Sequence, residues 1–138
     1  MITDFNVLVM MMELRDLEVY RLSEELSDLI WNIVLKWDYF AKDTIGKQFI
    51  KASDSISANI AEGYGRYHFK ENKNFCYFAR GSLEETKTWL RKSTRRGLIN
   101  KSEHQELCNI TRKLPKLLNS YINSIGCDRR SLVNTNDK

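Results

Sequence analysis

The sequence Ser53-Asp-Ser-Ile-Ser-Ala-Asn-Ile-Ala-Glu-Gly-Tyr-Gly-Arg66 predicts a closely packed helix end. Small residues at positions 53, 57 and 61 recur every four residues, and an apolar row at positions 56, 60 and 63 lies beside them. Such a surface allows a neighbouring helix to approach closely. Gly63 and Gly65 offer the left-handed conformations with which many helices end, so we expect the helix to stop near Tyr64.

Two amphipathic segments are predicted up to this end. The first begins at or just before Asp16 and reaches Trp37, and its apolar residues keep a spacing of three and four. The second is the helix quoted above, for which Asp43 or Thr44 is the expected N-terminal cap.

Two further segments follow. The predicted third helix ends at Gly97, and its apolar side comprises Phe75, Phe78, Ala79, Ser82, Leu83, Thr86, Trp89 and Leu90. The sequence Ser102-Glu-His-Gln105 has the pattern of a capping box and predicts the start of a fourth helix. That helix should stop at Gly126, and Pro115 should bend it.

Four such segments, six glycines, a single proline and no comparable alternating pattern favour one all-α domain. We predict an up-down-up-down antiparallel four-helix bundle over residues 14–126. Residues 1–13 are expected to form a flexible N-terminal extension, and residues 127–138 a polar C-terminal tail.

The charge is divided unevenly along the chain. Its net value is +4, but residues 1–30 carry −5 and the remaining residues +9. This division permits either a basic face for a polyanion or a head-to-tail contact between copies, and it does not choose between them. Trp31, Trp37 and Trp89 add apolar surface that one core need not bury, which favours self-association.

Composition and motifs give little sign of catalysis. The three cysteines are widely spaced, which indicates neither a disulfide framework nor a zinc site and fits a reducing cytoplasm. His68 and His104 lack a nucleophile at a fixed spacing, and we interpret both as solvated polar residues. Glu-x-x-His and His-Glu-x-x-His motifs are absent from the sequence, and Gly63-Tyr-Gly65 lacks the third glycine of a dinucleotide loop. We therefore predict no enzyme activity, metal or cofactor, and the Val7–Met12 segment resembles neither a signal peptide nor a membrane span.

The third helix carries the strongest charge pattern, which we call the basic ridge: Lys87, Arg91, Lys92, Arg95 and Arg96. Cations near a helix C-terminus are favourable without any ligand, so a solvated surface explains the pattern equally well. The functional alternative is contact with a phosphate backbone. Arg112, Lys113 and Lys116 extend this surface if the fourth helix lies alongside. Tyr64, Tyr67 and Phe69 are candidates for stacking on bases, although packing is the commoner role at such positions.

A polar cluster is also expected near the quoted sequence. Glu62 lies close to a helix C-terminus, where its charge needs a partner. We predict that Asn59 and Glu62 meet Ser82 and Glu85 across the second and third helices and lock them together. Close packing against the small residues would explain Gly81 inside the third helix.

These motifs carry a family resemblance. Asn59-Ile-Ala-Glu-Gly63 with Gly65-Arg66, followed by Phe78-Ala-Arg-Gly-Ser-Leu-Glu-Glu85, resembles the paired signatures of the four-helix-bundle proteins encoded in intervening sequences of 23S ribosomal RNA. Asp16-Leu-Glu-Val-Tyr20 resembles the opening of that family, and Ile99 its last helix entry. Trp89 and Ser57 depart from the family pattern, in which glutamine and proline are more frequent.

The resemblance implies a cytoplasmic bundle that assembles into a ring, commonly of five subunits. It also implies similarity to the accessory variability determinant that partners reverse transcriptase in diversity-generating retroelements, and no established enzyme activity. We accordingly expect a non-enzymatic, oligomeric accessory protein that binds nucleic acid, RNA rather than DNA. The alternative is an oligomeric scaffold for a protein partner, such as a reverse transcriptase, with little nucleic-acid binding of its own.

Overall fold

The computed structural model describes residues 14–127, and this part of the chain is helical without strands. Four long helices follow a 3-10 turn at Leu14–Asp16: α1, Glu18–Leu35; α2, Lys47–Tyr64; α3, Phe69–Arg95; and α4, Lys101–Ser124. They pack as a helical bundle around a continuous apolar core. The predicted N-terminal extension and all of the predicted tail except Cys127 lie outside the described residues.

The chain enters α2 earlier than the sequence predicted. Asp38 caps a helical turn at Tyr39–Ala41, where its Oδ1 accepts a hydrogen bond from the Ala41 N–H at 2.9 Å. A π-helical turn, Lys42–Gly46, then leads directly into α2. The expected cap at Asp43 or Thr44 is therefore wrong, because both residues already lie inside helical backbone.

Helix α2 packs most extensively against α3, and Gly63 permits the contact. A Cβ atom at Gly63 would lie 2.8 Å from the Phe75 Cβ and 2.9 Å from the Asn72 carbonyl oxygen. Glycine is thus needed for close approach, as the small-residue pattern indicated. The expected left-handed stop is wrong, since Gly65 has a φ of −76° and the only positive φ values in residues 14–127 belong to Gly97 and Gly126.

The buried face of α3 is built from small and medium side chains. Cys76, Ala79, Leu83, Thr86, Leu90 and Ser93 are buried, whereas Phe78 is 59% exposed. Phe78 was predicted to face the core, and that prediction is wrong. A helix held close to α2 leaves room for alanine and threonine at the seam, so the larger phenylalanine points outward.

The link between α3 and α4 is fixed by two capping arrangements. Gly97 has a φ of +75°, its N–H donates to the Thr94 carbonyl, and the Leu98 N–H donates to the Ser93 carbonyl; this Schellman pattern confirms Gly97 as the helix stop. Helix α4 then begins with a reciprocal box between Asn100 and Glu103. The predicted box at Ser102–Gln105 is two residues too late.

The remaining parts of α4 follow the sequence more closely. The helix continues through Pro115 to Ser124, and Gly126, with a φ of +85°, follows its end. Leu107, Leu114 and Leu118 are fully buried in the core with Phe49 and Leu26. None of the helices within residues 14–127 is long and apolar enough to span a membrane.

Candidate nucleic-acid interface

The basic ridge lies at the C-terminal end of α3, where Gly97 ends the helix. Three of its members, Arg91, Arg95 and Arg96, are exposed, and none forms an ion pair within residues 14–127. The positive charges stand where the helix dipole is negative, which stabilises the helix and leaves the guanidinium groups open to solvent. These three arginines are the free cationic groups of the ridge.

The two lysines of the ridge are partly engaged. Lys87 Nζ lies 2.7 Å from Glu84 Oε1, and Lys92 Nζ lies 5.2 Å from the centroid of the Trp89 ring. Glu84, one turn earlier on the same helix, thus neutralises the charge of Lys87. Lys92 forms no ion pair within the described chain, but its ammonium group lies over the Trp89 ring. The ridge therefore presents fewer free cations than the five that the sequence suggested.

Arg112, Lys113 and Lys116 are exposed on α4, but they do not directly extend the end of α3. Arg112 lies eleven residues after the start of α4, which corresponds to about 16 Å along its axis. The end of α4 lies near the start of α3, since Asn72 Nδ2 donates to the Tyr121 hydroxyl at 3.4 Å. Along the helix axes the α4 cations thus lie level with the middle of α3, about 16 Å or more from the level of Arg95 and Arg96.

The predicted cluster of Asn59, Glu62, Ser82 and Glu85 does not form among residues 14–127, because the side chains of Asn59, Glu62 and Glu85 bond to partners four residues away in the chain. Asn59 Nδ2 donates to the Ser55 carbonyl at 2.8 Å, and Glu62 pairs with Arg66. Glu85 accepts a hydrogen bond of 3.2 Å from Trp89 Nε1, and the Ser82 carbonyl accepts one from Thr86. The one-turn spacing of these partners, which the cross-helix interpretation ignored, was the available signal.

Gly81 was predicted to pack closely, and this prediction is also wrong. It is exposed, and a Cβ atom built there would have no neighbour within 4 Å. Nothing in the described chain explains a glycine at this position.

The aromatic candidates differ in exposure. Tyr67 is 92% exposed and lies edge-on to His68, Phe69 is 57% exposed, and Tyr64 is half-buried. Tyr77 and Phe78, which the sequence analysis did not propose for binding, are also exposed. The start of α3 therefore carries a second exposed surface, distinct from the basic ridge.

Possible reactive groups are dispersed. Burial raises the pKa of the Cys76 thiol to about 11, so this thiol stays protonated at neutral pH. Cys108 Sγ lies 3.4 Å from His104 Nε2, one helical turn away, a contact that the sequence analysis missed although the spacing of four residues was visible. No group of three or more metal-binding side chains comes together within residues 14–127.

Comparisons with known proteins place this geometry in a family. The model of the 23S rRNA-intervening sequence protein family matches residues 15–120, which is more than half of the chain. A solved structure from Bacteroides thetaiotaomicron, described as a protein of unknown function from the S23 ribosomal protein family, is similar with a TM-score of 0.67 and 26% identity. The similarity covers 75% of this chain and 97% of that one. No curated protein matches the chain. The family resemblance read from the sequence is thus confirmed, and the chain belongs to the 23S rRNA-intervening sequence protein family.

Proposed function

We propose that the protein is a non-enzymatic, oligomeric accessory protein that binds the phosphate backbone of nucleic acid, RNA in preference to DNA. The observation that carries the proposal is the group of three exposed, unpaired arginines at the end of α3: Arg91, Arg95 and Arg96. Guanidinium groups bind phosphate oxygens with charge-assisted hydrogen bonds and do not lose their charge at physiological pH. Family membership supports RNA as the polyanion.

Assembly makes this small surface effective. In our proposal the four helices alternate in direction, and five copies form a closed ring in the cytoplasm. Three arginines on one subunit give a weak contact, whereas the same contact repeated around a ring raises the effective affinity by local concentration. Arg112, Lys113 and Lys116 then form an additional, separate contact on α4.

An apolar groove supports self-association. Trp31 and Leu35 on α1 are each about half exposed, and they line a groove of about 440 Å³ with Tyr39 and Ile50. Apolar surface of this kind favours contact with another protein surface. A second surface is acidic and includes Glu24 and Asp28 on α1 and Asp54 on α2. Its charge is complementary to that of the basic ridge. Either surface fits a head-to-tail contact between copies.

The groove also favours the alternative function. If a different protein, such as a reverse transcriptase, occupies it, the chain is an oligomeric scaffold that hardly binds nucleic acid itself. The two functions differ in what the arginines do, because a scaffold built around the groove does not need them.

Charge reversal tests the proposal. We expect Arg91→Glu/Arg95→Glu to weaken binding of a structured RNA and of duplex DNA at least tenfold at low salt, with the helical content unchanged. Arg15→Glu/Lys101→Glu is the matched control, since it alters the net charge equally at two exposed residues outside the basic ridge and outside the apolar groove. Equal affinities of wild type and ridge variant would favour the scaffold. Light scattering should give a mass several times that of one chain; a monomer at micromolar concentration contradicts the ring.

A further inference from the structure

A cleft of about 630 Å³ lies between the start of α3 and the chain at residues 125–127. Phe69, Lys73 and Tyr77 follow one another at intervals of four residues along this side of α3, and Lys70 and Asn74 lie beside them. We call these five residues and the adjacent chain the aromatic–lysine cleft. Its volume is typical of ligand-binding sites in proteins.

The aromatic rings of the cleft are open to a ligand. Phe69 is 57% exposed and Tyr77 is 43% exposed. The Arg80 guanidinium lies 5.0 Å from the centroid of the Tyr77 ring and thereby supports it from a position outside the cleft lining. Phe69 and Tyr77 are separated by two helical turns, or about 12 Å along the axis, with Lys73 between them. Phe69 and Tyr77 therefore offer two flat apolar surfaces, and Lys73 places a cation between them.

The charge of the cleft identifies its occupant. Lys70 and Lys73 form no ion pair within the described chain, and no carboxylate among residues 14–127 lines the cleft. The Asn74 side chain likewise has no hydrogen-bond partner among residues 14–127 and can both donate and accept. The apolar groove beside Trp31 differs, because Asp43 lines that groove and neutralises Lys47 there. The surface thus combines aromatic faces with unneutralised cations, which complements a flexible polyanion carrying aromatic groups.

We propose that the aromatic–lysine cleft binds single-stranded nucleic acid, with unpaired bases stacked on Phe69 and Tyr77 and the linking phosphates neutralised by Lys70 and Lys73. This inference rests on the proposed function and adds a preference to it. The basic ridge contacts backbone of any form, whereas bases inside a duplex are already stacked and cannot reach the rings. The cleft therefore selects unpaired regions of the bound nucleic acid.

The test compares one RNA sequence in two forms by fluorescence anisotropy: a labelled single strand of about 12 nucleotides without self-complementarity, and the same strand annealed to its complement. We expect Phe69→Leu/Tyr77→Leu, which keeps apolar bulk but removes both rings, to weaken single-strand binding about tenfold or more. Duplex binding should change less than about twofold. Phe69→Tyr/Tyr77→Phe should bind the single strand like the wild type.

Matched variants protect this comparison from trivial effects. Phe40→Leu removes a highly exposed ring outside the cleft and outside the apolar groove, and should leave both affinities unchanged. Lys73→Gln leaves both rings in place and should weaken single-strand binding with a reduced salt dependence. Circular dichroism and light scattering on every variant establish that fold and mass are retained.

Two binding results would overturn the inference: the leucine variant binds the single strand like the wild type, or it loses affinity for the single strand and the duplex equally. A fall in the oligomeric mass of the leucine variant would also overturn it, because the cleft would then be a contact between copies. Failure of the proposed function looks different. In that case Arg91→Glu/Arg95→Glu binds duplex as well as the wild type does, or the wild type binds neither form. Loss of duplex binding in the ridge variant, with no single-strand defect in the leucine variant, refutes the cleft alone.

Discussion

Gly63 and Gly81 show how two glycines in neighbouring helices differ in role. A methyl group at Gly63 would collide with the Asn72 backbone and with Phe75, whereas one at Gly81 would meet open space. The first glycine sets the distance between α2 and α3. The second meets no steric requirement within residues 14–127 and adds backbone freedom to the unfolded state.

Opposite effects of alanine are therefore expected at these positions. Gly63→Ala should destabilise the protein by about 1–3 kcal/mol, because α3 must shift to accommodate the methyl group. Gly81→Ala should stabilise it by about 0.5–1 kcal/mol. Chemical denaturation of both variants provides the comparison. A loss of stability at Gly81 would show that its surface is covered in the assembled protein.

Asp54 provides a prediction with a definite pH dependence. Burial, followed by the carboxylates of Asp28 and Glu24, raises its pKa above the ordinary value. The folded state then binds the proton more tightly than the unfolded state, so the charged carboxylate costs stability above that pKa and the cost vanishes as the pH falls through it. Asp54→Asn should raise the Tm at pH 7. The corresponding gain in the free energy of unfolding should be less than about 0.5 kcal/mol, because solvent screens the group.

The control for this prediction is Glu106→Gln, an exposed carboxylate on α4. The stabilisation by Asp54→Asn should shrink from pH 7 towards pH 3, while the control should show no such trend. A stabilisation by Asp54→Asn that increases as the pH falls would contradict a raised pKa of Asp54.

At the scale of the helices, the N-terminus of α4 joins two elements. Glu103 accepts a hydrogen bond from the Asn100 N–H at 3.0 Å, and its other oxygen lies 3.0 Å from Lys36 Nζ, just after α1. Burial alone would raise the pKa of Glu103, but the Asn100 N–H and the Lys36 charge outweigh it and hold the pKa below its ordinary value. One carboxylate thus caps α4 and ties it to α1.

Removal of this carboxylate should be measurable. Glu103→Ala should cost about 1 kcal/mol at pH 7, mainly through the lost capping box. A depressed pKa contributes stability above the unfolded value, near 4.5, that is lost as the pH falls through the folded value. Thermal unfolding should therefore separate wild type and variant at pH 7 and bring them together in acid. Glu106→Ala is the control, and an equal loss in both would refute the capping role.

The same scale shows how far sequence reasoning reached. Apolar spacing located all four long helices, since a buried stripe is a local property of each helix. It did not choose the buried face of α3, where phenylalanines and small residues both keep helical spacing. That choice depends on how closely α2 approaches, which is a tertiary property. The predicted N-terminal caps were wrong for a related reason. Asp38 and Asp43 are both suitable caps by their chemistry, as are Asn100 and Ser102, and packing decides which residue of each pair is used.

For the whole molecule, the sequence indicated the family and the basic ridge, but not which cations remain free. Glu84 and Trp89 engage Lys87 and Lys92, and this pairing depends on side-chain positions. The aromatic–lysine cleft was missed although the spacing of Phe69, Lys73 and Tyr77 was visible. Its exposure depends on where the chain after α4 passes. Site prediction therefore required the packed structure, whereas fold prediction mostly did not.

The salt dependence of RNA binding tests the central claim, phosphate contact by the arginines of the basic ridge, most directly. The affinity of the wild type should fall linearly in a plot of log K against log salt, with a slope of about 0.7–0.9 for each phosphate neutralised. Arg91→Glu/Arg95→Glu should give a flatter line and weaker binding at low salt, with the oligomeric mass unchanged. Lines of equal slope and equal affinity for wild type and variant would contradict the account.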